Sequence, residues 1–480
     1  MATRKFFILG IQSLVSSEDS TLRFGNDNTI IIPFPEGIDE LHKLSIHFNE
    51  KGRIAKKLLE YFSSFKIELL LSDDGVIQKN GSRLKFESGY RATEIPKDLG
   101  DISKFEGRRI QIALGMKKDR KNAIIISKNP AFRMKLESIK ILAQPFKDDI
   151  FPPLNEQYNA RVDCQMSEEK FDLFNSQGYV TRKDIVGNSR IEWLPNLFLN
   201  ISSLIDSKHS MLARYDGQRI VPLKFADARP YGINAMKAGQ HMALEALLTN
   251  PEDAPIVVIK GSAGTGKTLL SLACGLNDTT GVREDGKSYS QIMITTPTET
   301  LRDENLGFLP GEFEEKFDPY LGGIMDNLNI LISSNEKKKT SNKNRNSDSS
   351  SNKDEKKTEK AFKQSTKIQV KKLFEQGIVV MQLIGHLRGR SIVDTIFIID
   401  EAQNIEPSVI KSIVTRAGSG SKFVFIGDPT QIDNPDLNER YNGLVYLSEK
   451  MKGNPMCWQV TLENEESVRS KLAYVAAKIL

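Results

Sequence analysis

The first third of the chain alternates short apolar runs with longer amphipathic stretches. Helical periodicity runs through IDELHKLSIHF, IAKKLLEYFSSF and FEGRRIQIALGM. The intervening apolar runs have the length of strands and cover residues 6–10, 29–34, 67–71 and 123–127. Strands that alternate with helices favour a mostly parallel sheet, so residues 1–145 are predicted to form an α/β domain.

The pattern changes over residues 146–225. This stretch is more polar, and its short alternating pieces, such as YNARVDCQM and SMLARYDGQRIVPLKF, are typical of strands. We interpret it as a connecting region with some β structure.

Residues 226–480 return to strand–helix alternation, which predicts a second α/β domain with a parallel sheet. Its predicted strands are residues 256–260, 291–295, 378–383, 395–400, 422–426 and 457–461. The alternation breaks at residues 334–360, which contain no apolar side chain. Such a segment cannot offset the entropy cost of ordering, so it is predicted to be a disordered insertion.

Composition adds limits to this picture. The 480 residues are 39% hydrophobic and 27% charged, which is ordinary for a globular chain of several domains. The formal net charge is +5, and residues 335–360 hold nine Lys/Arg and five Asp/Glu, a net of 9 − 5 = +4. The net charge therefore gives no general argument for nucleic-acid binding. No apolar run of membrane-spanning length occurs, and the three cysteines share no metal-site spacing, so a reduced, cytoplasmic setting is expected.

The clearest chemical signal is the sequence GSAGTGKT after the strand at 256–260. It fits the phosphate-binding P-loop pattern at every fixed position. The predicted nucleotide-binding residues are Gly261, Ser262, Ala263, Gly264, Thr265, Gly266, Lys267 and Thr268. Backbone N–H groups and the following helix N-terminus bind polyphosphate, Lys267 adds a charge at the β- and γ-phosphates, and Thr268 offers its hydroxyl to Mg²⁺.

A second signal is TIFIIDEAQN at residues 395–404. A buried strand that ends in two carboxylates places both at the carboxyl edge of the sheet, beside the P-loop. Asp400 is therefore predicted to hold Mg²⁺, and Glu401 to orient and deprotonate the attacking water.

A third signal is KFVFIGDPTQID at residues 422–433, where another apolar strand ends in a polar segment. Gln431 is predicted to contact the γ-phosphate or the attacking water. Gln240, in KAGQHMALEALL ahead of the P-loop strand, is the candidate for reading adenine.

Together these motifs resemble the PhoH-like family of P-loop ATPases. The resemblance rests on DEAQN and GDPTQID, with LRGRS, GFLPGEFEEKFDPYLGGIMDNL, YNGLVYL and VTLENEESVRSKLA, and spans about residues 225–480. It implies a single RecA-like core, related to helicase superfamily 1, that hydrolyses ATP with Mg²⁺. It also implies RNA or single-stranded DNA as partner and assembly as a homo-oligomeric ring such as a hexamer.

Two arginines are candidates to stabilise the charge on the departing γ-phosphate. Arg416 lies between the two strands at 395–400 and 422–426 and is expected to act within its own subunit. Arg469 could reach its own or a neighbour's site, and the ring assembly that the resemblance implies favours the neighbour's. Thr296, in ITTP, stands where the family usually carries an Arg. This departure puts that Arg's phosphate or nucleic-acid contact in doubt.

The N-terminal part resembles PIN nuclease domains, through the order of its first strand, ELHKLS, GRRIQIAL and IIISKNPAFRMK. Such nucleases use several carboxylates to hold two metal ions. Here Gly10 stands in place of the first-strand Asp, and Asn129 stands in place of the late Asp. Of the expected carboxylates, Glu40 and Glu106 remain, and Asp101 could substitute for a missing one. A degenerate nuclease site is therefore expected.

The sequence thus predicts an ATPase that binds or remodels RNA or single-stranded DNA. Three alternatives stay open: an ATP-regulated ribonuclease, a P-loop kinase for a small molecule, and an ATP-gated scaffold. The kinase is disfavoured because DEAQ supplies a water-activating Glu and no substrate lid is evident.

Overall fold

A computed structural model describes residues 4–25, 27–47, 50–96, 99–146, 151–297, 322–335, 355–387, 389–434 and 437–467. The chain divides into two compact units, Met1–Ile150 and Phe151–Leu480. The stretch 146–225, expected to be a connecting region, therefore lies almost wholly within the second unit.

The first unit contains a six-stranded sheet in the order β3-β4-β2-β1-β5-β6. All its neighbouring strands pair in parallel except β3 and β4. The strands are β1 Lys5–Leu9, β2 Thr29–Pro33, β3 Val76–Ile77, β4 Arg83–Glu87, β5 Asn122–Ile126 and β6 Ala143–Gln144. The helices are α1 Ile11–Leu14, α2 Glu36–Ser45, α3 Glu50–Ser63, α4 Ile67–Leu71, α5 Lys104–Lys118 and α6 Pro130–Ser138.

The prediction of a strand at 67–71 is wrong, because these residues form helix α4. A short apolar run does not distinguish a strand from a turn of helix. The sheet position beside β2 belongs instead to β4, whose sequence RLKFE was not identified as a strand. Lys85 and Glu87 of β4 are both buried and pair at 3.1 Å. A buried strand is usually recognised by its apolar residues, and this strand carries a charged pair instead.

The second unit contains a small four-stranded sheet in the order β10-β9-β8-β7. Its strands are β7 Arg161–Met166, β8 Leu197–Ser203, β9 Ser210–Tyr215 and β10 Ile220–Pro222. Strand β7 pairs with β8 in parallel, and the other pairs are antiparallel. Helix α7 (Glu168–Gln177) contributes Phe171 and Phe174 to the apolar core on this sheet.

The larger sheet of the second unit has six parallel strands in the order β13-β12-β14-β15-β11-β16. They are β11 Ile256–Gly261, β12 Gln291–Thr295, β13 Val379–Met381, β14 Thr395–Ile399, β15 Lys422–Gly427 and β16 Cys457–Leu462. Every residue of β11, β14 and β15 is buried, as expected for central strands covered on both faces.

Helices cover both faces of this sheet. Their bounds are α8 Ala238–Leu248, α9 Lys267–Thr280, α10 at 322–335, α11 Glu355–Glu375, α12 Pro407–Val414 and α13 Gly443–Lys450. Helices α8 to α11 contribute to the core on one face, and α12 and α13 to the core on the other. The α/β architecture with parallel sheets is therefore confirmed.

The insertion predicted at 334–360 is only partly covered by the structure. Residues 336–354 lie outside the described part of the chain. Residues 355–360, expected to be disordered, instead form the first turns of α11. Further along this helix, Val370 and Leu373 join the core, and such packing stabilises a helix whose N-terminal part is highly charged.

Among the described residues, no helix is both long and apolar enough to span a bilayer.

Candidate functional site

The loop between β11 and α9 lies at the carboxyl edge of the large sheet, with β15 and β16 on either side of β11. Helix α9 begins at Lys267, and the preceding Gly266 adopts a left-handed backbone conformation with φ of 90°. The first N–H groups of a helix lack partners within it, so this helix N-terminus can receive an anion.

Lys267 lies over this loop. Its Nζ donates hydrogen bonds to the carbonyl oxygens of Gly261, at 2.7 Å, and Ser262, at 3.0 Å. Thr265 adds a bond from its hydroxyl to the Ser262 carbonyl, at 2.8 Å. The ammonium charge is therefore held at the loop, where the sequence predicts a polyphosphate.

The Thr268 hydroxyl donates to Oδ2 of Asp400 at 3.0 Å. Asp400 follows the last residue of β14 and is only 9% exposed. Burial, and next the neighbouring charge of Glu401, raise the pKa of Asp400 to about 6. The structure therefore brings together the two residues that the sequence assigned to Mg²⁺.

These two side chains fit a magnesium ion. A hydroxyl and a carboxylate are hard oxygen ligands, and a cation would relieve the electrostatic cost that raises the pKa of Asp400. In the described part of the chain, no three His, Cys, Asp or Glu side chains form a metal-binding cluster.

Glu401 occupies an unusual backbone position. Its φ of 51° and ψ of 40° are left-handed, a conformation that non-glycine residues rarely adopt outside constrained sites. It precedes a short 3₁₀ helix, Ala402–Asn404, and its N–H donates to Oδ1 of Asp400 at 3.0 Å. This turn exposes Glu401 to solvent while Asp400 stays buried.

Gln403 connects the acidic motif to the strand beside it, a role that sequence reasoning missed. Its Nε2 donates to Oε2 of Glu401 at 2.7 Å and to the carbonyl of Gln431 at 2.8 Å. Its Oε1 accepts the N–H of Asp428 at 3.1 Å, and the residue is only 1% exposed. The amide therefore joins the predicted water-activating Glu401 to the GDPTQ segment.

Gly427 makes room for this amide. A Cβ at this position would overlap Oε1 of Gln403. The glycine of GDPTQ therefore has a packing function, and the fourth position of DEAQ was the available sequence signal for Gln403.

Gln431 lies in the same cluster through its backbone, while its side chain is exposed. Its carbonyl accepts from Gln403, and its N–H donates to the carbonyl of Asp428 at 3.1 Å. A contact of the Gln431 side chain with phosphate or water stays a prediction.

Gln240 is buried at the start of α8 and supports the loop directly. Its Nε2 donates to the Thr265 carbonyl at 3.0 Å, and its Oε1 accepts the N–H of Met236 at 2.8 Å. These bonds use both ends of the amide within the protein. Recognition of adenine by the Gln240 side chain stays a prediction.

The structure does not bring Arg416 to this site. The Arg416 carbonyl accepts the N–H of Ile392 at 2.9 Å, and Ile392 bridges Ala417. Residues 392 and 416 precede β14 and β15, so they lie at the amino edge of the sheet, opposite the P-loop. A role for Arg416 in its own subunit's site does not fit this placement. Arg469 lies outside the described residues.

Thr296, the departure from the family pattern, directly follows β12 at the carboxyl edge. The N–H of Asp400 donates to the carbonyl of the preceding Thr295 at 2.9 Å. Thr296 therefore directly follows a residue that is hydrogen-bonded to Asp400. At this position the chain carries a threonine side chain and not the Arg of the family pattern.

In the first unit, an arginine fills the end of β1. A Cβ on Gly10 would lie 3.0 Å from Nη1 of Arg109, which is only 2% exposed. Arg109 donates to the Ile126 carbonyl and lies against the rings of Phe105 and Phe132, at 5.8 and 5.3 Å. The position of the expected first-strand Asp is therefore next to a buried cation.

The other nuclease candidates are engaged separately. Asn129 accepts the N–H of Phe132 and caps helix α6, and Glu40 pairs with Lys43 at 2.7 Å. Glu106 lies in the first turn of α5, and Asp101 is exposed. These side chains do not form a shared carboxylate site in the described structure.

Comparison with known proteins covers both units. Residues 232–480 match the family described as PhoH-like protein. Over 99% of its length the chain is 30% identical to "Protein PhoH2" of Bacillus subtilis (strain 168), all of which is covered. "Protein PhoH2" of Mycolicibacterium smegmatis is 24% identical over 99% of this chain and 96% of that protein. The "PhoH-like protein" of Bacillus subtilis is 29% identical over 53% of this chain and 65% of that protein.

Proposed function

This chain belongs to the family of PhoH-like proteins, and from that premise we propose that it couples ATP hydrolysis to the binding or remodelling of RNA or single-stranded DNA. Family membership makes it a P-loop ATPase. The observation that carries the proposal further is the Gln403 amide, which joins Glu401 to the GDPTQ segment.

Bound ATP would supply the reactive phosphoanhydride, and Mg²⁺ would neutralise part of the charge on its phosphates. Lys267 and the N–H groups at the start of α9 would hold the phosphates, and Thr268 and Asp400 would hold the metal ion. The Glu401 carboxylate accepts a proton from the attacking water. Gln403 fixes the direction in which that carboxylate points.

The same contacts support the proposed coupling to a nucleic acid. Gln403 bonds both Glu401 and two backbone groups of the GDPTQ segment, so a shift of that segment moves the carboxylate. A partner that displaces the segment therefore changes the hydrolysis rate. RNA or single-stranded DNA is the proposed partner because the motifs resemble those of helicase superfamily 1.

The test is ATP turnover by the purified full chain, alone and with single-stranded RNA or DNA, with Glu401→Gln as the background control. We expect stimulation by at least one nucleic acid and none in the control. Turnover that no nucleic acid changes contradicts the coupling. No turnover at all favours an ATP-gated scaffold, and phosphate transfer to a metabolite favours a kinase.

Assembly as a homo-oligomeric ring is part of the proposal, with Arg469 acting on a neighbouring subunit. Mixing the inactive variants Lys267→Ala and Arg469→Ala tests this. Mixed rings contain sites that pair an intact loop with an intact Arg469, so turnover partly returns. No recovery despite proven subunit exchange, or full activity as a monomer, contradicts the role of Arg469 between subunits.

A further inference from the structure

A cavity of about 400 Å³ lies beside the P-loop, on the face of the sheet that carries α13. Its walls come from four stretches, within residues 154–159, 260–262, 428–430 and 461–465. Its volume is within the range of about 300–1,000 Å³ that is usual for small-ligand sites. Gly261 and Ser262, which are assigned to phosphate binding, form part of its wall, whereas Thr268, Asp400, Glu401 and Gln403 do not.

Three residues of the cavity lining carry a buried side-chain oxygen without a hydrogen-bond partner. These oxygens are Oδ2 of Asp428, Oε1 of Gln157 and Oγ1 of Thr461. Asp428 is 5% exposed and Gln157 9% exposed. A buried acceptor without a partner is costly, so these atoms favour a ligand that donates hydrogen bonds.

Asp428 is the centre of this group. Its Oδ1 accepts the N–H and the hydroxyl of Thr430, at 2.9 and 2.7 Å, which fixes the carboxylate. The other oxygen, Oδ2, has no hydrogen-bond partner. A fixed, buried carboxylate oxygen binds a charged donor more strongly than a neutral one.

The charge of the lining also favours a cation. The lining holds the carboxylates of Asp428, Glu463 and Glu465 against the ammonium of Lys260, and Glu463 pairs with Arg161 at 3.7 Å. The Lys260 Nζ donates to the Tyr158 carbonyl and, at 3.0 Å, to the Ser448 hydroxyl.

We propose that this cavity is a binding site for a guanidinium or ammonium group, held chiefly by Asp428 with Gln157 and Thr461. Because Gly261 and Ser262 form part of its wall, a cation bound there lies beside the loop that holds the phosphates. The group comes either from a free small cation or from a basic side chain of a second copy of this chain.

The direct test measures binding of methylguanidinium to the nucleotide-free full chain by calorimetry and saturation-transfer NMR. The uncharged N-methylurea, of similar shape, is the control ligand. We expect binding of methylguanidinium and little of N-methylurea. Asp428→Asn weakens the binding about tenfold or more, as expected for a lost charged hydrogen bond.

Two further variants keep the test decisive. Thr461→Val removes one acceptor at almost constant volume and weakens binding even if Asp428→Asn does not fold. Glu252→Gln changes an exposed carboxylate outside the cavity lining and leaves binding unchanged. Equal binding of N-methylurea, no loss in Asp428→Asn and Thr461→Val, or an equal loss in Glu252→Gln overturns the proposal.

A separate arm identifies the source of the cation. If a second copy supplies it, sedimentation shows self-association that methylguanidinium and Asp428→Asn both weaken. If a free cation supplies it, methylguanidinium binds without changing sedimentation. Neither arm involves ATP or nucleic acid, so failure here is distinct from failure of the proposed ATPase coupling.

Discussion

Nε2 of Gln403 lies 2.7 Å from Oε2 of Glu401 and donates a hydrogen bond to it. Gln403 is almost fully buried, whereas Glu401 is exposed at the sheet edge. An immobile amide thus orients a carboxylate that faces solvent. This contact makes the geometry of the proposed general base depend on the neighbouring strand end.

The first prediction concerns the P-loop and the base. Lys267→Ala abolishes productive ATP binding or turnover. Glu401→Gln keeps nucleotide binding but lowers turnover by about 10²–10⁴, the usual contribution of a general base. Steady-state turnover and nucleotide titration measure both effects. Parent-like turnover in Glu401→Gln contradicts the assignment of Glu401.

The second prediction concerns Gln403 as a positioning residue. Gln403→Met keeps the approximate side-chain volume but removes all three hydrogen bonds. Turnover falls by about 10²-fold, because a carboxylate displaced by about 1 Å loses that much rate. Nucleotide affinity stays near that of the parent.

A double-variant cycle provides the control for Gln403. In the Glu401→Gln background there is no base to orient, so adding Gln403→Met causes little further loss. An equal fold loss of turnover in both backgrounds shows that Gln403 acts only through general stability.

The third prediction concerns the space that Gly427 leaves for Gln403. Gly427→Ala displaces the amide and lowers turnover in the same way as Gln403→Met. Overpacking at this buried position also lowers the free energy of unfolding by about 1–3 kcal/mol. Gly385→Ala, where a Cβ meets nothing within 4 Å, is the matched control. Parent turnover in Gly427→Ala argues against the proposed packing.

The fourth prediction concerns Asp400 and pH. Its pKa is raised from 3.8 to about 6 in the folded protein, so the folded state binds more protons between these values. This carboxyl therefore lowers the free energy of unfolding as the pH rises from about 4 to 6. Asp400→Asn removes that cost and, at pH 8 without nucleotide, stabilises the protein by about 1–3 kcal/mol while abolishing turnover.

Urea unfolding at pH 4.5 and pH 8 measures this effect. The stability difference between Asp400→Asn and the parent is largest at pH 8 and smaller at pH 4.5. Asp227→Asn, at an exposed carboxylate, is the control. Lower stability of Asp400→Asn than of the parent at pH 8 refutes the prediction.

The fifth prediction concerns the first unit. With Mg²⁺ or Mn²⁺, the full chain does not cleave single-stranded RNA above background, because the Arg109 charge at the end of β1 repels a divalent cation. Gel analysis of labelled RNA checks this, with Glu40→Ala beside the parent. Cleavage that Glu40→Ala removes shows that other carboxylates have rebuilt a nuclease site.

The sequence by itself determined the P-loop, the acidic pair and the parallel sheet that carries them. The loop is specified by contiguous residues, 261–268, whose chemistry needs no distant partner. The proximity of Thr268 and Asp400, far apart in the chain, was also predictable, because parallel strands all end at the same edge of a sheet.

The tertiary structure alone decided contacts that depend on strand order and side-chain direction. The order places β15 between β14 and β11, which brings the GDPTQ segment to Gln403 and puts Arg416 at the opposite edge. The tertiary structure also decided that Arg109 fills the space beside Gly10 and that residues 67–71 form a helix. These outcomes depend on packing between residues distant in the chain, which local apolar periodicity does not encode.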